Sequence, residues 1–245
     1  MPLHLKNTTV YHKALSELPA GKLLINTINA HSYNMAQKDT AFTAALQESE
    51  ILLPDGVSIV FAKKLLNNIK INKIAGADLF AYEMERLNKN GGKCFFLGSS
   101  ENTLLKIKKR AATDYPNVII TTYSPPFKPE FTATDNSTML GKINEVKPDV
   151  LFIGMTAPKQ EKWAATHFDA IQAEHIGCIG AVFDFYAGTV KRAPKWIINM
   201  GLEWLYRFLS EPLRLWRRYL LGNITFVILI ISEKLGLRAE NRRSI

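Results

Sequence analysis

The chain has 245 residues and a formal net charge of +9; 47% of its residues are hydrophobic and 22% are charged. That balance excludes collagen, coiled coil and intrinsic disorder, and it suits a globular protein with a real core, built as one large domain or two small ones. The charge is uneven: residues 191–245 carry net +7 and residues 1–190 only +2, which points to an anionic partner at one end, whether nucleic acid, anionic lipid or a phosphorylated substrate.

The opening segment, MPLHLKNTTVYH, holds no apolar run, so no signal peptide is expected. Short apolar runs then alternate with amphipathic stretches. The runs are Lys22–Asn26, Ile51–Leu53, Cys94–Leu97, Val118–Thr121, Val150–Ile153 and Ile176–Ile179. They lack strict polar alternation, as do strands covered on both faces of a parallel sheet. Asn34–Gln47, Asp78–Asn88, Asn102–Asp114, Thr134–Val146 and Lys159–Ala173 read as helices, and the Pro-rich Tyr123–Thr132 as a loop. The pattern predicts an α/β, Rossmann-like, mainly parallel sheet flanked by helices over residues 1–190.

After Gly188 the pattern changes. Lys195–Leu209 reads as a helix, Ser210-Glu211-Pro212 as a break, and a second helix continues through LRLWRRYLL. Residues 191–245 are therefore expected to form a helical, basic, amphipathic appendage. Its longest apolar stretch, Tyr219–Ser232, has 14 residues, short of the roughly 20 that span a bilayer. It is expected to lie in a membrane interface, not to cross it.

Both cysteines, Cys94 and Cys178, sit in apolar runs and read as buried free thiols. No CxxC or HxxxH spacing suggests a metal site. No GxGxxG or GxxxxGK[ST] fingerprint marks a dinucleotide or P-loop site.

Ligands of open α/β sheets bind at the carboxyl ends of the strands. The residues following the apolar runs are therefore the candidates: Thr27 and Asn29, then Asp55, then Gly98-Ser99-Ser100, then Gln160, and last Asp184. Asp55, between Pro54 and Gly56, suits a general base at a crevice rim; it equally suits a cap for a helix starting near Val57. The Gly98 turn suits a phosphate cradle or an ordinary strand-to-helix turn. Gln160 and Asp184 suit sugar hydroxyls or structural bonds.

The eight aspartates contain no DxD pair, so basic side chains would have to neutralise a diphosphate. Arg207, Arg214, Arg217 and Arg218 fall close to one helical face beside the apolar Leu205, Leu209, Leu213, Trp216 and Leu220. Such a stretch suits an anionic membrane surface, or a helix packed on the body with a solvated basic face. The exposed apolar tail also allows homo-oligomer formation. From the residues alone, a nucleotide-cofactor oxidoreductase and a non-enzymatic membrane adaptor are the rivals of a transferase.

Read together in chain order, several segments resemble the WecG/TagA/CpsF family of bacterial glycosyltransferases. They are Thr27-Ile28-Asn29, Leu53-Pro54-Asp55-Gly56-Val57, Gly76-Ala77-Asp78-Leu79, Phe96-Leu97-Gly98, Lys147-Pro148-Asp149 and Ala157-Pro158-Lys159-Gln160-Glu161. Further along come Phe183-Asp184-Phe185-Tyr186-Ala187-Gly188, Lys191-Arg192-Ala193-Pro194-Lys195-Trp196, Gly201-Leu202-Glu203-Trp204-Leu205-Tyr206-Arg207, Glu211-Pro212 and Trp216-Arg217-Arg218-Tyr219.

The resemblance implies transfer of N-acetylmannosamine, its uronic acid or another hexose from a UDP-sugar to a polyprenyl-diphosphate-linked acceptor such as GlcNAc-diphospho-undecaprenol. It implies surface polysaccharide synthesis, including teichoic acid, and inverting chemistry without a metal or other cofactor. It places the enzyme in the cytoplasm on the inner face of the cell membrane, with no nucleic-acid partner. By the same resemblance Asp55 is the base, Thr27 and Asn29 are pocket positions beside it, and Gln160 and Asp184 line the crevice; the donor is expected at the strand ends near Gly98, Gln160 and Asp184. Arg207, Arg214 and Arg217 of the appendage hold the diphosphate. One departure stands out: Ala30-His31 follows Asn29 where many members have Pro-Glu.

Overall fold

The computed structural model describes residues 2–237. Six strands form one sheet: β1 (Leu23–Ile28), β2 (Ile51–Pro54), β3 (Gly92–Gly98), β4 (Val118–Tyr123), β5 (Val150–Gly154) and β6 (His175–Cys178). Their order is β2-β1-β6-β5-β3-β4, and every neighbouring pair is parallel. The short apolar runs are thus central strands with helices on both faces, as their lack of alternation required. Cys94 and Cys178 are free and buried in this sheet, where burial pushes both thiols up.

The connecting helices are α1 (Ala30–Ala36), α2 (Thr40–Gln47), α3 (Val57–Asn67), α4 (Gly76–Asn90), α5 (Glu101–Asp114), α6 (Ala133–Val146), α7 (Lys159–Thr166) and α8 (Val182–Ala187). Two expected helices change. The stretch read as Asn34–Gln47 is two helices, because Asp39 stops the first register and caps the second, its Oδ1 accepting from the Phe42 amide at 2.9 Å. The one read as Lys159–Ala173 ends at Thr166.

The C-terminal part is α9 (Lys195–Asn199), α10 (Glu203–Ser210), α11 (Pro212–Trp216), a π-helical turn (Arg217–Leu221) and α12 (Gly222–Lys234). The helix expected over Lys195–Leu209 is divided at Gly201, whose φ of 75° is left-handed. A side chain there would also strike Val57 Cγ1 at 2.7 Å. This turn therefore sits directly on the start of α3.

From Pro212 to Lys234 the helix runs for 23 residues and is long and apolar enough to cross a membrane by length and composition. The 14-residue estimate missed this because it counted only the uninterrupted apolar run. The helix is nevertheless bound lengthwise to the body. Phe226 and Ile230 are buried in one core cluster with Tyr33, Ile59, Ala62 and Leu66. The buried Glu233 accepts from the Leu5 and Lys6 amides and from the Tyr33 hydroxyl at 2.8 Å. Asn34 donates to the Gly222 carbonyl at 2.7 Å. Crossing a bilayer would strip these bonds from a buried carboxylate, a large cost in a low-dielectric medium.

Candidate active site

Asp55 ends β2, and three backbone features fix it. Its amide donates to the Ile28 carbonyl of β1 at 2.9 Å, and the Ile74 amide donates to the Pro54 carbonyl at 3.0 Å. Gly56 follows with φ 137°, a left-handed conformation that a side chain would strain. The cap reading of Asp55 fails: the N-cap of α3 is Gly56, and no side chain caps that helix. The Asp55 carboxyl is free of that duty and faces the crevice groups instead.

Asn29 is the first of these. Its Oδ1 accepts from the His31 and Ser32 amides at 3.0 and 3.1 Å and so caps α1. Its side chain also hydrogen-bonds Asp55. With the oxygen committed to the helix, the amide nitrogen is the group left to donate to the carboxylate.

Burial is the main influence on Asp55 and pushes its carboxyl up; the nearby Lys73 and the Asn29 bond pull it down, and Glu203 and Asp78 push it up. Lys73 lies 3.5 Å from the Glu203 carboxylate, and Arg192 pairs with the same carboxylate at 3.1 Å. Glu203 opens α10, so the appendage reaches the crevice through this three-residue ion cluster. Lys73, Arg192 and Glu203 carry no periodicity signal in the sequence. Glu203 lies inside one of the segments that carry the resemblance, yet its spacing alone gives it no role.

The arginines divide. The chain breaks at Glu211 (φ −139°), so α10 and α11 do not share one continuous face. Arg207 stacks over the Phe185 ring of α8 at 5.3 Å. Arg214 is exposed and paired with Glu211 at 2.6 Å. Arg217 is exposed and lies over Trp216 at 5.2 Å. Arg218 is the one that turns inward: it feels the Asp55 charge, burial lowers its pKa, and its Nε is buried without a hydrogen-bond partner. Arg217 and Arg218 lie within a π-helical turn, Arg217–Leu221; as neighbours on a helix they point to different sides, about 100° apart in a regular α-helix.

His31 lies beside Arg218. Burial, helped by the Arg218 charge, lowers its pKa to about 4, so its imidazole is neutral at physiological pH. The departure from Pro-Glu thus places an uncharged ring next to the inward arginine.

The other candidates form a row along the carboxyl edge. Thr27 is half-buried on β1 opposite Leu53 of β2. Asp184, on α8, accepts from the Thr189 hydroxyl at 3.2 Å. Gln160 is buried and committed to the turn after β5: its Oε1 accepts from the Met155 amide at 3.2 Å, and its Nε2 donates to Glu161 at 2.8 Å.

Gly98 is a packing glycine. It pairs with Gly154, and a side chain on it would meet the Gly154 carbonyl oxygen at 2.7 Å. In the same turn, Ser100 spends its hydroxyl on the Thr103 amide, capping α5. Gly98 stands four strand positions from Asp55, about 19 Å at the usual strand spacing. The row therefore extends across the sheet, with Asp55 at one end. A separate cavity of about 300 Å³, lined by residues including Asn7, Tyr11, Glu50 and Ile51, opens at the amino end of β2 and is no part of it.

A carboxyl at the strand ends beneath a basic helical cover is the kind of arrangement the resemblance implies. The model of the Glycosyl transferase WecG/TagA/CpsF family matches residues 3–240. The chain belongs to this family. It is a glycosyltransferase, which removes the oxidoreductase and adaptor readings. Among curated proteins it is similar to the N-acetylglucosaminyldiphosphoundecaprenol N-acetyl-beta-D-mannosaminyltransferase of Bacillus subtilis (strain 168). The two are 32% identical over 198 residues, 80% of this chain and 75% of the relative. The protein of the same name from Bacillus spizizenii is 32% identical over 186 residues, 76% and 70% of the two chains.

Proposed function

We propose that this glycosyltransferase moves N-acetylmannosamine, or its uronic acid, from a UDP-sugar to the GlcNAc of a polyprenyl-diphosphate-linked acceptor. The names of its Bacillus relatives support the acceptor and the sugar class. The observation that carries the chemistry is the half-buried Asp55 at the end of β2, its carboxyl raised by burial and acted on by the Asn29 side chain and the Lys73 charge.

In this reading the acceptor hydroxyl attacks the anomeric carbon from the face opposite UDP. Asp55 takes the hydroxyl proton, the new carbon–oxygen bond forms, and the bond to the diphosphate breaks with its electron pair leaving on UDP. Attack from the opposite face inverts the anomeric centre. General-base catalysis of this kind contributes typically about 10²- to 10⁴-fold. Arg218, Arg207 and Lys73 offset the charge that develops on the diphosphate, the work a divalent cation does elsewhere.

The acceptor remains in the membrane, and the appendage brings the crevice to it. The tail helix supports this role with outward apolar residues at helical spacing, Leu213, Leu220, Ile224, Ile228, Ile231 and Leu235, all exposed. The exposed Arg214 and Arg217 beside them suit an anionic headgroup layer. Contact at the inner face of the cell membrane follows from this reading.

A panel of UDP-sugars offered with a GlcNAc-diphospholipid analogue, with product mass measured, tests the substrate assignment. A product heavier by one N-acetylhexosamine or its uronic acid is expected from the ManNAc donors. Turnover confined to a donor outside that class overturns the assignment. Activity that EDTA abolishes and Mg²⁺ restores overturns the metal-independent chemistry.

A further inference from the structure

We infer that α3 is a second membrane-contact element, so that the catalytic body itself, and not the appendage alone, lies on the anionic bilayer. This inference rests on the reading that the tail helix docks on the membrane.

The residues of α3 divide cleanly. Ile59, Ala62 and Leu66 are buried in the core cluster that also receives Phe226 and Ile230 of α12. The opposite face carries Phe61, Leu65 and, just past the helix end, Ile69, exposed by 71%, 47% and 46%. Phe61 and Leu65 are spaced by four and lie on one face of the helix, and Ile69 follows the left-handed Asn68 that ends it. An exposed Phe and Leu of this kind in one line call for a covering partner.

Two observations commit the occupant to an anionic bilayer. The first is charge. Lys64 and Lys70 are exposed beside these residues, and from Gly56 to Ala77 the chain contains no Asp or Glu. The second is continuity. α3 packs directly against α12, and both helices turn their buried sides to the same core cluster. Their outward apolar sides therefore adjoin, Phe61 and Leu65 on one, Ile224, Val227, Ile228 and Ile231 on the other.

A single amphipathic helix in an interface leaves the body free to roll about the helix axis. Two adjacent helices define a plane. α3 begins two residues after Asp55, so seating α3 on the headgroups holds the base at a fixed height above the lipid, where a membrane-anchored diphosphate acceptor presents its sugar.

The test is binding of the full chain to vesicles of 30% phosphatidylglycerol in phosphatidylcholine. Phe61→Gln/Leu65→Gln is expected to weaken binding at least tenfold and to lower turnover of vesicle-borne acceptor, while turnover of a water-soluble short-chain acceptor stays unchanged. Ile224→Gln/Ile228→Gln probes the tail separately. If the tail variant loses binding and the α3 variant does not, α3 is no membrane element and the tail reading stands. If neither variant loses binding, both readings fall. If the α3 variant instead dissociates a dimer in sedimentation with vesicle binding intact, the face binds a second copy and the inference is overturned. Both native cysteines are buried, so Leu65→Cys takes an environment-sensitive fluorophore selectively. Its emission is expected to shift blue on these vesicles, and an unshifted emission overturns the contact.

Discussion

Asn29 links the cap of α1 to the Asp55 carboxyl. Its Oδ1 holds the His31 and Ser32 amides at the start of α1, and its side chain also hydrogen-bonds Asp55. The cap fixes the amide's orientation, so the energy that stabilises the helix also orders the base. Ser caps helices about as well as Asn but has no amide to offer Asp55. Asn29→Ser is therefore expected to keep the melting temperature nearly unchanged and to lower turnover. Because the lost bond favours the ionised form, the acid limb of kcat/KM moves to higher pH. Asn29→Ala is expected to show the same kinetic change and to lose about 1 kcal/mol of stability as well.

The ion cluster at the crevice makes a prediction of opposite signs. Lys73 pulls the Asp55 carboxyl down and Glu203 pushes it up. The base works when deprotonated. Lys73→Met should thus move the acid limb to higher pH, and Glu203→Gln should move it to lower pH. Steady-state pH profiles of the two variants check this, and shifts of the same sign would remove the cluster from control of Asp55.

Arg218 and Arg217 are neighbours in sequence with separate surroundings. Arg218→Met is expected to cost about 10²-fold in turnover of a water-soluble acceptor, the usual loss when one stabilising donor to a developing charge is removed. Arg217→Met should leave that turnover unchanged and weaken binding to anionic vesicles. Removing the Arg218 charge should also let the His31 pKa rise from about 4, which NMR titration of the imidazole reads directly.

Glu161 governs a different pH dependence. It is buried, its Oε2 has no hydrogen-bond partner, and burial raises its pKa to about 7 from an ordinary 4.5. The folded protein then holds a proton that the unfolded chain releases. The stability it confers is full below about pH 4.5 and is lost as pH rises through about 7. Glu161→Gln is expected to remove this dependence, leaving the variant more stable than the parent at pH 8 by on the order of 3 kcal/mol. Thermal melts at pH 5 and pH 8 measure the difference.

The sheet was readable because six apolar runs without alternation, separated by amphipathic stretches, allow few other folds. The placement of Asn29, Asp55, Gln160 and Asp184 along the carboxyl edge was readable because each follows one of the apolar runs that form the strands. Helix ends were less so. Asp39 and Gly201 interrupt apolar periodicity that continues on both sides of them, and a period count passes over both. Lys73 and Glu203 were hidden because 130 residues separate them and only folding pairs them. Choosing between Arg217 and Arg218 depended on which side of the tail helix packs on the body, which residue spacing does not mark. Gln160 and Gly98 were found as site-edge residues, but their atoms are spent on the turns that shape the crevice.

The base role of Asp55 is open to direct measurement. Asp55→Asn keeps the size of the side chain and removes the proton acceptor. With UDP-N-acetylmannosamine and a GlcNAc-diphospholipid analogue, turnover is expected to fall by about 10²- to 10⁴-fold, with the fold intact by circular dichroism and UDP binding retained. Turnover equal to that of the parent enzyme would contradict the account.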